Sequence, residues 1–168
     1  MSERPVRRVL LGATLSALVF ASPARSGEPV MEVAVILHPD RATTGMSRSE
    51  LERILTLRRQ RWDDGTPIYL LMQEEGSREK KIVLDRVYRM KGDDLKRFWL
   101  GKIHRGELVH FPKTLASGEA VRSFVSRVRN AIGYVDARDL DSSVRALRID
   151  GRLPGTEGYL LRSGTNRE

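Results

Sequence analysis

The polar segment that follows a predicted strand at residues 68–72 carries the residues whose types best suit binding chemistry. Gln73, Gly76, Ser77 and Arg78 lie here, and a helical pattern begins directly after Ser77. A glycine and a serine at a helix start leave backbone N–H groups free to face an anion, and the helix dipole adds about half a positive charge there. Arg78 and the lysines behind it add full charges. The segment therefore predicts a site for a small oxyanion such as phosphate.

The same segment also fits a purely structural interpretation. Three glutamates, Glu74, Glu75 and Glu79, would repel an anion. Ser77 is a preferred helix N-cap residue, and the surrounding charges could simply be solvated. An anion site in a chain of this size would also be open to water, so we expect weak binding unless a partner chain closes over it. Both interpretations stay open at the level of sequence.

Other constellations predict neither a metal, a cofactor nor a catalytic centre. The three histidines share no ligand spacing and the chain has no cysteine. The acidic pairs Asp63-Asp64 and Asp93-Asp94 lie in predicted turn and cap positions, where aspartate is common. Ser117 lacks the flanking glycines of a nucleophile elbow. We therefore predict a protein that is not an enzyme.

The first 26 residues have the pattern of a signal peptide. Arg4, Arg7 and Arg8 precede an apolar run at 9–20, and a small-residue stretch ends at Ser26. This order predicts export and cleavage after Ser26. The apolar run is shorter than the roughly 20 residues that span a bilayer. An uncleaved anchor, a misassigned start codon and a twin-arginine export route stay open, and a bacterial periplasm is the expected location.

The remaining composition predicts one domain at residues 27–162 and a disordered tail at 163–168. Without the four arginines and one glutamate of residues 1–26, the 30 basic and 22 acidic residues of the chain leave a net charge of +5. This charge favours anionic partners. Nucleic acid is not an expected partner, because the basic residues are spread out and lack interleaved aromatic residues. With no cysteine, the domain must depend on packing.

Strand and helix patterns alternate along the domain. We predict strands at 32–37, 68–72, 131–135 and 144–149, and helices at 48–57 and 78–90, with two more opened by Asp93-Asp94 and by Ser117-Gly118-Glu119. Residues 111–113 are predicted to be a connector. Ser47 and Glu50 form a capping box at the first helix. Trp62, Phe98 and Trp99 are expected in the core, with an apolar stripe that continues to Ile103. The alternation predicts an α/β fold with a mixed sheet flanked by helices and at least one parallel strand pair.

Four weak motifs, in this order, resemble the phosphate-type periplasmic solute-binding proteins. The first is the capped helix at 46–58, followed by a tryptophan turn at 62–65 and the strand at 67–71. The others are the aromatic pair Phe98-Trp99, the stretch from Gly118 to the isoleucine-glycine-tyrosine strand at 130–135, and the closing segments 147–151 and 158–162. The isoleucine-glycine-tyrosine strand is the most specific. The resemblance extends from Val33 to Arg162 and implies the fold of one lobe of such a protein.

The resemblance implies an exported phosphate-binding module related to the substrate-binding proteins of phosphate ABC transporters. Two departures indicate a weakened site. The family has two lobes, with the ligand held between them. Its phosphate loop is arginine-serine-aspartate-glycine-serine-glycine-threonine, whereas residues 73–79 here share only Gly76 and Ser77 with it. The alternative is a periplasmic interaction or accessory protein that keeps the fold without the ligand. It would bind an envelope protein or membrane complex through the basic run Arg53, Arg58, Arg59 and Arg61.

Overall fold

The structure, a computed structural model, describes residues 30–108 and 112–164. Its strands are β1 (Val33–Leu37), β2 (Gly45–Met46), β3 (Tyr69–Gln73), β4 (Lys113–Leu115), β5 (Ala131–Asp136), β6 (Arg145–Ala146) and β7 (Arg148–Ile149). Its α-helices are α1 (Arg48–Leu55), α2 (Arg78–Val83), α3 (Gly92–His104) and α4 (Gly118–Val125). The predicted signal peptide lies outside the described residues.

Apolar runs without polar alternation form the centre of a five-stranded sheet. The strand order is β4-β3-β5-β1-β6, with β3 parallel to both β4 and β5 and with β1 antiparallel to β5 and β6. Every residue of β1 and β5 is buried. Strands that are buried throughout need cover on both faces of the sheet. The predicted mixed sheet with a parallel pair is thus confirmed.

Helices cover the two faces of the sheet in two separate clusters. On one face, α1, α2 and α3 pack on β1, β3 and β5 through Leu51, Ile54, Ile82, Val83, Leu95 and Trp99. On the other face, α4 packs through Val121 and Val125. The glycine of the isoleucine-glycine-tyrosine strand explains how closely α4 approaches, because a Cβ on Gly133 would lie 2.5 Å from Val121 Cγ1. The predicted α/β class with flanking helices is confirmed.

The N-terminus of α1 forms the capping box that its sequence predicts. The backbone N–H of Glu50 donates to Ser47 Oγ at 3.2 Å, and the backbone N–H of Ser47 donates to Glu50 Oε2 at 2.9 Å. The helix ends at Leu55, two residues before the predicted end, since Leu57 has a positive φ of 53°. Trp62 is buried, as predicted, and its indole N–H donates to the carbonyl of Asn130 at 3.0 Å.

The prediction of a single strand at 144–149 is wrong. The segment divides between two sheets: β6 pairs with β1, and β7 pairs in parallel with β2, a strand that the sequence did not predict. Between them Leu147 is buried, and its N–H donates to the carbonyl of Val35 at 2.8 Å. Each pairing is two residues long, and the chain crosses from one sheet to the other at Leu147 between them.

The predictions for residues 78–90 and 111–113 also need correction. The α-helical hydrogen bonding of α2 gives way after Val83 to a π-helical turn, Leu84–Tyr88, which ends at Arg89 with a φ of 52°. Pro112 and Lys113 do not form a plain connector, because Lys113 begins the edge strand β4, which pairs with β3. Residue 111 lies outside the described residues.

The end of α3 and the chain's last described residues differ from expectation. Trp99 is buried and Phe98 is half-buried, but Ile103, placed in the apolar stripe, is 43 % exposed. Ser163, assigned to a disordered tail, exchanges hydrogen bonds with Met31: each backbone N–H donates to an oxygen of the other residue at 2.7 Å. The order therefore extends at least to Ser163, and residues 165–168 lie outside the described part.

Candidate functional site

The predicted site residues lie where the connections of two neighbouring parallel strands leave in opposite directions. The chain leaves β3 toward α2, which covers one face of the sheet, and leaves β4 toward α4, which covers the other. In open α/β sheets, such a switch point opens a crevice at the carboxyl ends of the strands, and ligands bind there. The two loops start side by side, since the N–H of Glu74 donates to the carbonyl of Leu115 at 3.1 Å.

Gln73 ends β3 at the floor of this crevice. It is 2 % exposed, and its side-chain Nε2 donates to the carbonyl of Tyr134 at 3.0 Å. Its backbone N–H donates to the Tyr134 hydroxyl at 3.3 Å, and burial raises the pKa of Tyr134. The Gln73 side chain thus joins β3 to β5, where the related phosphate loop carries an arginine.

Gly76 and Ser77 form the turn that starts α2. Gly76 has a φ of 93°, a left-handed conformation that glycine adopts without steric cost. Ser77 is the N-cap of α2, and its Oγ accepts the backbone N–H of Lys80 at 3.1 Å. In a helix start of this kind, the N–H groups of the first two helical residues have no partner within the helix. The predicted capping role of Ser77 is present, and it leaves these groups available to an anion.

Arg78 is exposed at the β5 side of α2, beside an ion pair that ends β5. Arg138 Nη2 donates to Asp136 Oδ2 at 2.6 Å, and this hydrogen bonding holds the pKa of Asp136 below its ordinary value. The positive charge of Arg78 acts on Asp136 in the same direction. Glu74 and Glu75 are exposed. The structure therefore brings Gly76, Ser77 and Arg78 together on one loop, above Gln73.

The start of α4, at the same edge of the sheet, was not predicted to be part of the site. Ser117 caps α4 by accepting the N–H of Ala120 at 3.1 Å. Gly118 lies so close that a Cβ on it would be 3.5 Å from Gln73 Nε2. The sequence did predict a helix start here. The sequence did not show the parallel pairing of β3 and β4, which brings the start of α4 beside Gln73.

Lys80, one of the two lysines behind Arg78, is buried, which the sequence analysis did not predict. It is 8 % exposed although it follows the cap in an otherwise polar helical turn. It lines a cavity of about 240 Å³ between α2 and the start of α3, which we call the α2–α3 cavity. The lining residues are Glu75, Gly76, Ser77, Lys80, Lys81, Leu84 and Gly92. The helical pattern of residues 78–90 groups Lys80 with the charged residues. Sequence alone does not show that α3 packs over this lysine.

The described residues contain no group of three His, Cys, Asp or Glu side chains that could hold a metal ion. Among them no helix combines the length and the apolar character that a membrane span requires. The basic run is partly neutralised: Arg59 Nη2 lies 2.5 Å from Asp63 Oδ1, and Arg61 donates to the carbonyl of Gly65 at 2.8 Å. Arg53 and Arg58 are exposed.

Comparison with solved structures identifies the fold. A Clostridium perfringens protein, named for the substrate-binding component of a phosphate ABC transporter and solved with bound phosphate, matches with a TM-score of 0.60, 22% identity and 73% of this chain. An ABC-type phosphate transport receptor from Vibrio cholerae matches with a TM-score of 0.61 and 15% identity over 74% of the chain. PstS from Borrelia burgdorferi matches with a TM-score of 0.62 and 14% identity over 79%.

These likenesses confirm the resemblance predicted from the sequence at the level of fold. The matched regions make up 46%, 48% and 55% of those three proteins, so this chain spans about half their length. No protein-family model matches the chain, and no curated protein matches it in sequence. The fold is therefore that of one lobe of a phosphate transporter's substrate-binding protein.

Proposed function

We propose that this chain is an exported, non-catalytic oxyanion-binding protein, a relative of phosphate receptors with a weakened site. The observation that carries the proposal is the carboxyl edge of β3 and β4, where two serine-capped helices start from neighbouring loops: the N–H of Glu74 donates to the carbonyl of Leu115, and Gly118 lies beside Gln73. The ligand would contact the loop of Gly76, Ser77 and Arg78. Gln73, held against Tyr134, would form the floor beneath it.

The chemistry of this crevice favours a small, multiply charged oxyanion. Helix N-termini present N–H donors and a positive dipole end, which together bind phosphate and sulfate groups. Arg78 supplies a mobile full charge, and the Asp136–Arg138 pair beside it is internally neutral. The exposed carboxylates of Glu74 and Glu75 oppose binding. We therefore infer an affinity weaker than that of a closed two-lobed receptor, unless a second chain covers the crevice.

Export is part of the proposal and rests on residues 1–26, which carry the basic, apolar and small-residue regions of a signal peptide. A periplasmic protein expressed with this leader should be recovered with Gly27 as its first residue. The intact mass of the protein from a periplasmic extract measures this directly. A mass that retains Met1 or the apolar run 9–20 would contradict cleavage and favour an anchored protein.

Thermal unfolding in the presence of phosphate tests the binding proposal. A ligand that binds only the native state adds about 2.7 kcal/mol of stability at about 100 times its dissociation constant. We expect phosphate to raise the unfolding temperature more than sulfate or chloride at matched ionic strength. Equal effects of the three anions would show general screening and would favour the alternative, an interaction protein without a solute ligand.

Paired variants locate the effect. Replacing both residues, Ser77→Ala and Arg78→Ala, should remove most of the stabilisation by phosphate. Ser47→Ala is the matched control, since it removes the N-cap hydroxyl of α1 and leaves the crevice unchanged. We expect this control to lower the unfolding temperature without phosphate and to retain the full phosphate increment. Equal increments in the double variant and the wild type would refute the loop assignment.

A further inference from the structure

The α2–α3 cavity holds a positive charge that the fold itself does not neutralise. The Lys80 side chain is 8 % exposed, and it makes no hydrogen bond or ion pair with a residue that the structure describes. Its Nζ atom nevertheless keeps contact with solvent-accessible space, because the one sealed side-chain nitrogen or oxygen without a partner among the described residues is Arg145 Nε. The ammonium of Lys80 therefore reaches open space, and Lys80 lines both the α2–α3 cavity and a neighbouring cavity of about 280 Å³ beside Trp99.

Burial without a partner makes this lysine costly. An ammonium group loses hydration on burial, and a counter-charge or hydrogen bonds normally compensate it. Lys81, the next residue, is exposed, so the same charge could have been placed at the surface without that cost. A buried lysine of this kind is expected where an anionic ligand offsets the lost hydration of the ammonium group.

The start of α3 provides the opposite wall of the cavity. This helix has 13 residues, and Lys91 at its N-cap position provides no side-chain cap. Gly92, the first helical residue, lines the cavity, and no atom lies within 4 Å of the position that its Cβ would occupy. The helix dipole of α3 and its first amide groups thus add to the field of Lys80.

The acidic groups nearby offset part of this field. Glu75 lines the cavity and is exposed. Asp93 and Asp94 lie in the first turn of α3; Asp94 forms an ion pair with Arg97 and also accepts a hydrogen bond from the Lys91 backbone. The adjoining cavity, about 620 Å³, shares Lys81, Leu84 and Gly92 with this one and is lined by basic residues, Arg78, Lys81, Arg86, Lys91 and Arg162, against Asp85. A basic rim of this kind raises the local concentration of anions.

We infer that the α2–α3 cavity is a second oxyanion site, with Lys80 as its charged ligand and the α3 N-terminus as its hydrogen-bond donor. Its ligand is a phosphoryl group, either free phosphate or the terminal group of a phosphate monoester. The volume of about 240 Å³ is several times the roughly 30 Å³ that one water occupies, so an ester group also fits. The site lies on the α3 side of the Gly76–Ser77 loop, and it does not depend on binding in the crevice.

Amide mapping by NMR distinguishes the two sites in one titration. Inorganic phosphate and glycerol phosphate are added to uniformly ¹⁵N-labelled protein, with sulfate and chloride as ionic-strength controls. The amides of Gly92 and Asp93 report the α2–α3 cavity, and those of Arg78 and Gly118 report the crevice. We expect saturable shifts at Gly92 and Asp93 with both phosphate compounds if the cavity also takes an ester, and with phosphate alone if it takes the free ion.

Variants at Lys80 provide the decisive comparison. Lys80→Met keeps the apolar stem and removes the charge. It should weaken the phosphate affinity, measured from the shifts at Gly92 and Asp93, about tenfold or more. Lys113→Met is the control, because Lys113 is exposed and lines neither cavity; it should change this affinity by less than about threefold. Lys80→Arg should retain binding. Without phosphate, Lys80→Met should unfold at the same or a higher temperature, because it removes an unpaired buried charge.

The outcomes separate this inference from the proposed function. Saturable shifts confined to Arg78 and Gly118 would support the crevice and overturn the second site. Shifts confined to Gly92 and Asp93 would support the second site and overturn the crevice. Absence of saturable shifts at all four amides would overturn both. If Lys80→Met lost its folded spectrum while wild-type Gly92 stayed unshifted, Lys80 would be a structural residue and the inference would fail.

Discussion

The first turns of α1 and α2 begin with the same dipeptide and differ in what completes them. Ser47-Arg48 starts α1 and Ser77-Arg78 starts α2, and each serine caps its helix by accepting the N–H of the third helical residue. That third residue is Glu50 in α1 and Lys80 in α2. Glu50 returns to the Ser47 N–H at 2.9 Å and closes a capping box. Lys80 cannot do so, and its side chain is buried with no hydrogen-bond or ion-pair partner among the described residues.

At α1 the protein's own side chains form a full capping box. At α2 only the serine cap is present. In α1 a carboxylate neutralises the dipole and occupies the space in front of the amides. In α2 the corresponding position holds a lysine at the positive end of the helix, and the acidic residue of that first turn is Glu79 at the second position. The third helical position therefore distinguishes a helix start that closes a capping box from one that does not.

The largest effect is expected when α1 is given the residue found in α2. Glu50→Lys removes the box, places a cation at the helix N-terminus and loses the contact with Arg59 at 3.8 Å. We expect a loss of about 2 kcal/mol in the free energy of unfolding, measured in urea. Glu52→Lys on the same helix is the control, with an expected loss under about 0.5 kcal/mol. Similar losses in both would show that net charge, not the box, stabilises α1.

The reverse exchange sharpens the comparison at α2. Lys80→Glu creates the pattern of Ser47–Glu50 on α2 and removes the buried cation. We expect the free energy of unfolding without phosphate to rise by about 0.5–1 kcal/mol, and the phosphate shifts of the Gly92 and Asp93 amides to disappear. Lys113→Glu, at an exposed position outside the cavity, should leave those shifts in place. Retention of the Gly92 shifts in Lys80→Glu would mean that the charge at this position does not select anions.

The smallest effect is the pH dependence that Glu50 of α1 contributes to stability. Hydrogen bonds from the backbone and side chain of Ser47 hold the pKa of Glu50 below its usual value of 4.5. The stabilisation by this carboxylate is therefore present above pH 4.5, the unfolded-state value, and is lost as the pH falls through the lower folded-state value. Unfolding free energies measured from about pH 5 to pH 3 should fall less steeply in Glu50→Gln, whereas Lys80→Met should keep the wild-type slope.

The features that local chemistry determines were predictable from the sequence. Ser47 and Glu50 lie three residues apart and form their box without help from the rest of the chain. The turn at Gly76 and Ser77 is equally local. The predicted strands at 32–37 and 131–135 are central because a mainly apolar run must be covered on both faces of the sheet. These signals also carried the resemblance to phosphate receptors.

The features that depend on distant pairing were not predictable in the same way. Residues 144–149 look like one strand, but two different partners, β1 and β2, divide it. Ser117 joins the crevice only because β3 and β4 are parallel neighbours. Lys80 follows a charged helical pattern, and its burial comes from α3, whose first residue lies twelve positions later. In each case the feature depends on a contact between distant parts of the chain, which local residue preferences do not show.

The pairing of β1 with β5 has a consequence for how the chain acquires its structure. Val33 lies opposite Asp136, so the central antiparallel pair joins residues from the two ends of the described chain. Closing so long a loop is slow, and folding rates fall as the sequence separation of contacts increases. During synthesis the sheet centre cannot assemble until residues 131–136 have been made. The two central strands of the sheet therefore pair late, after most of the described chain has been synthesised.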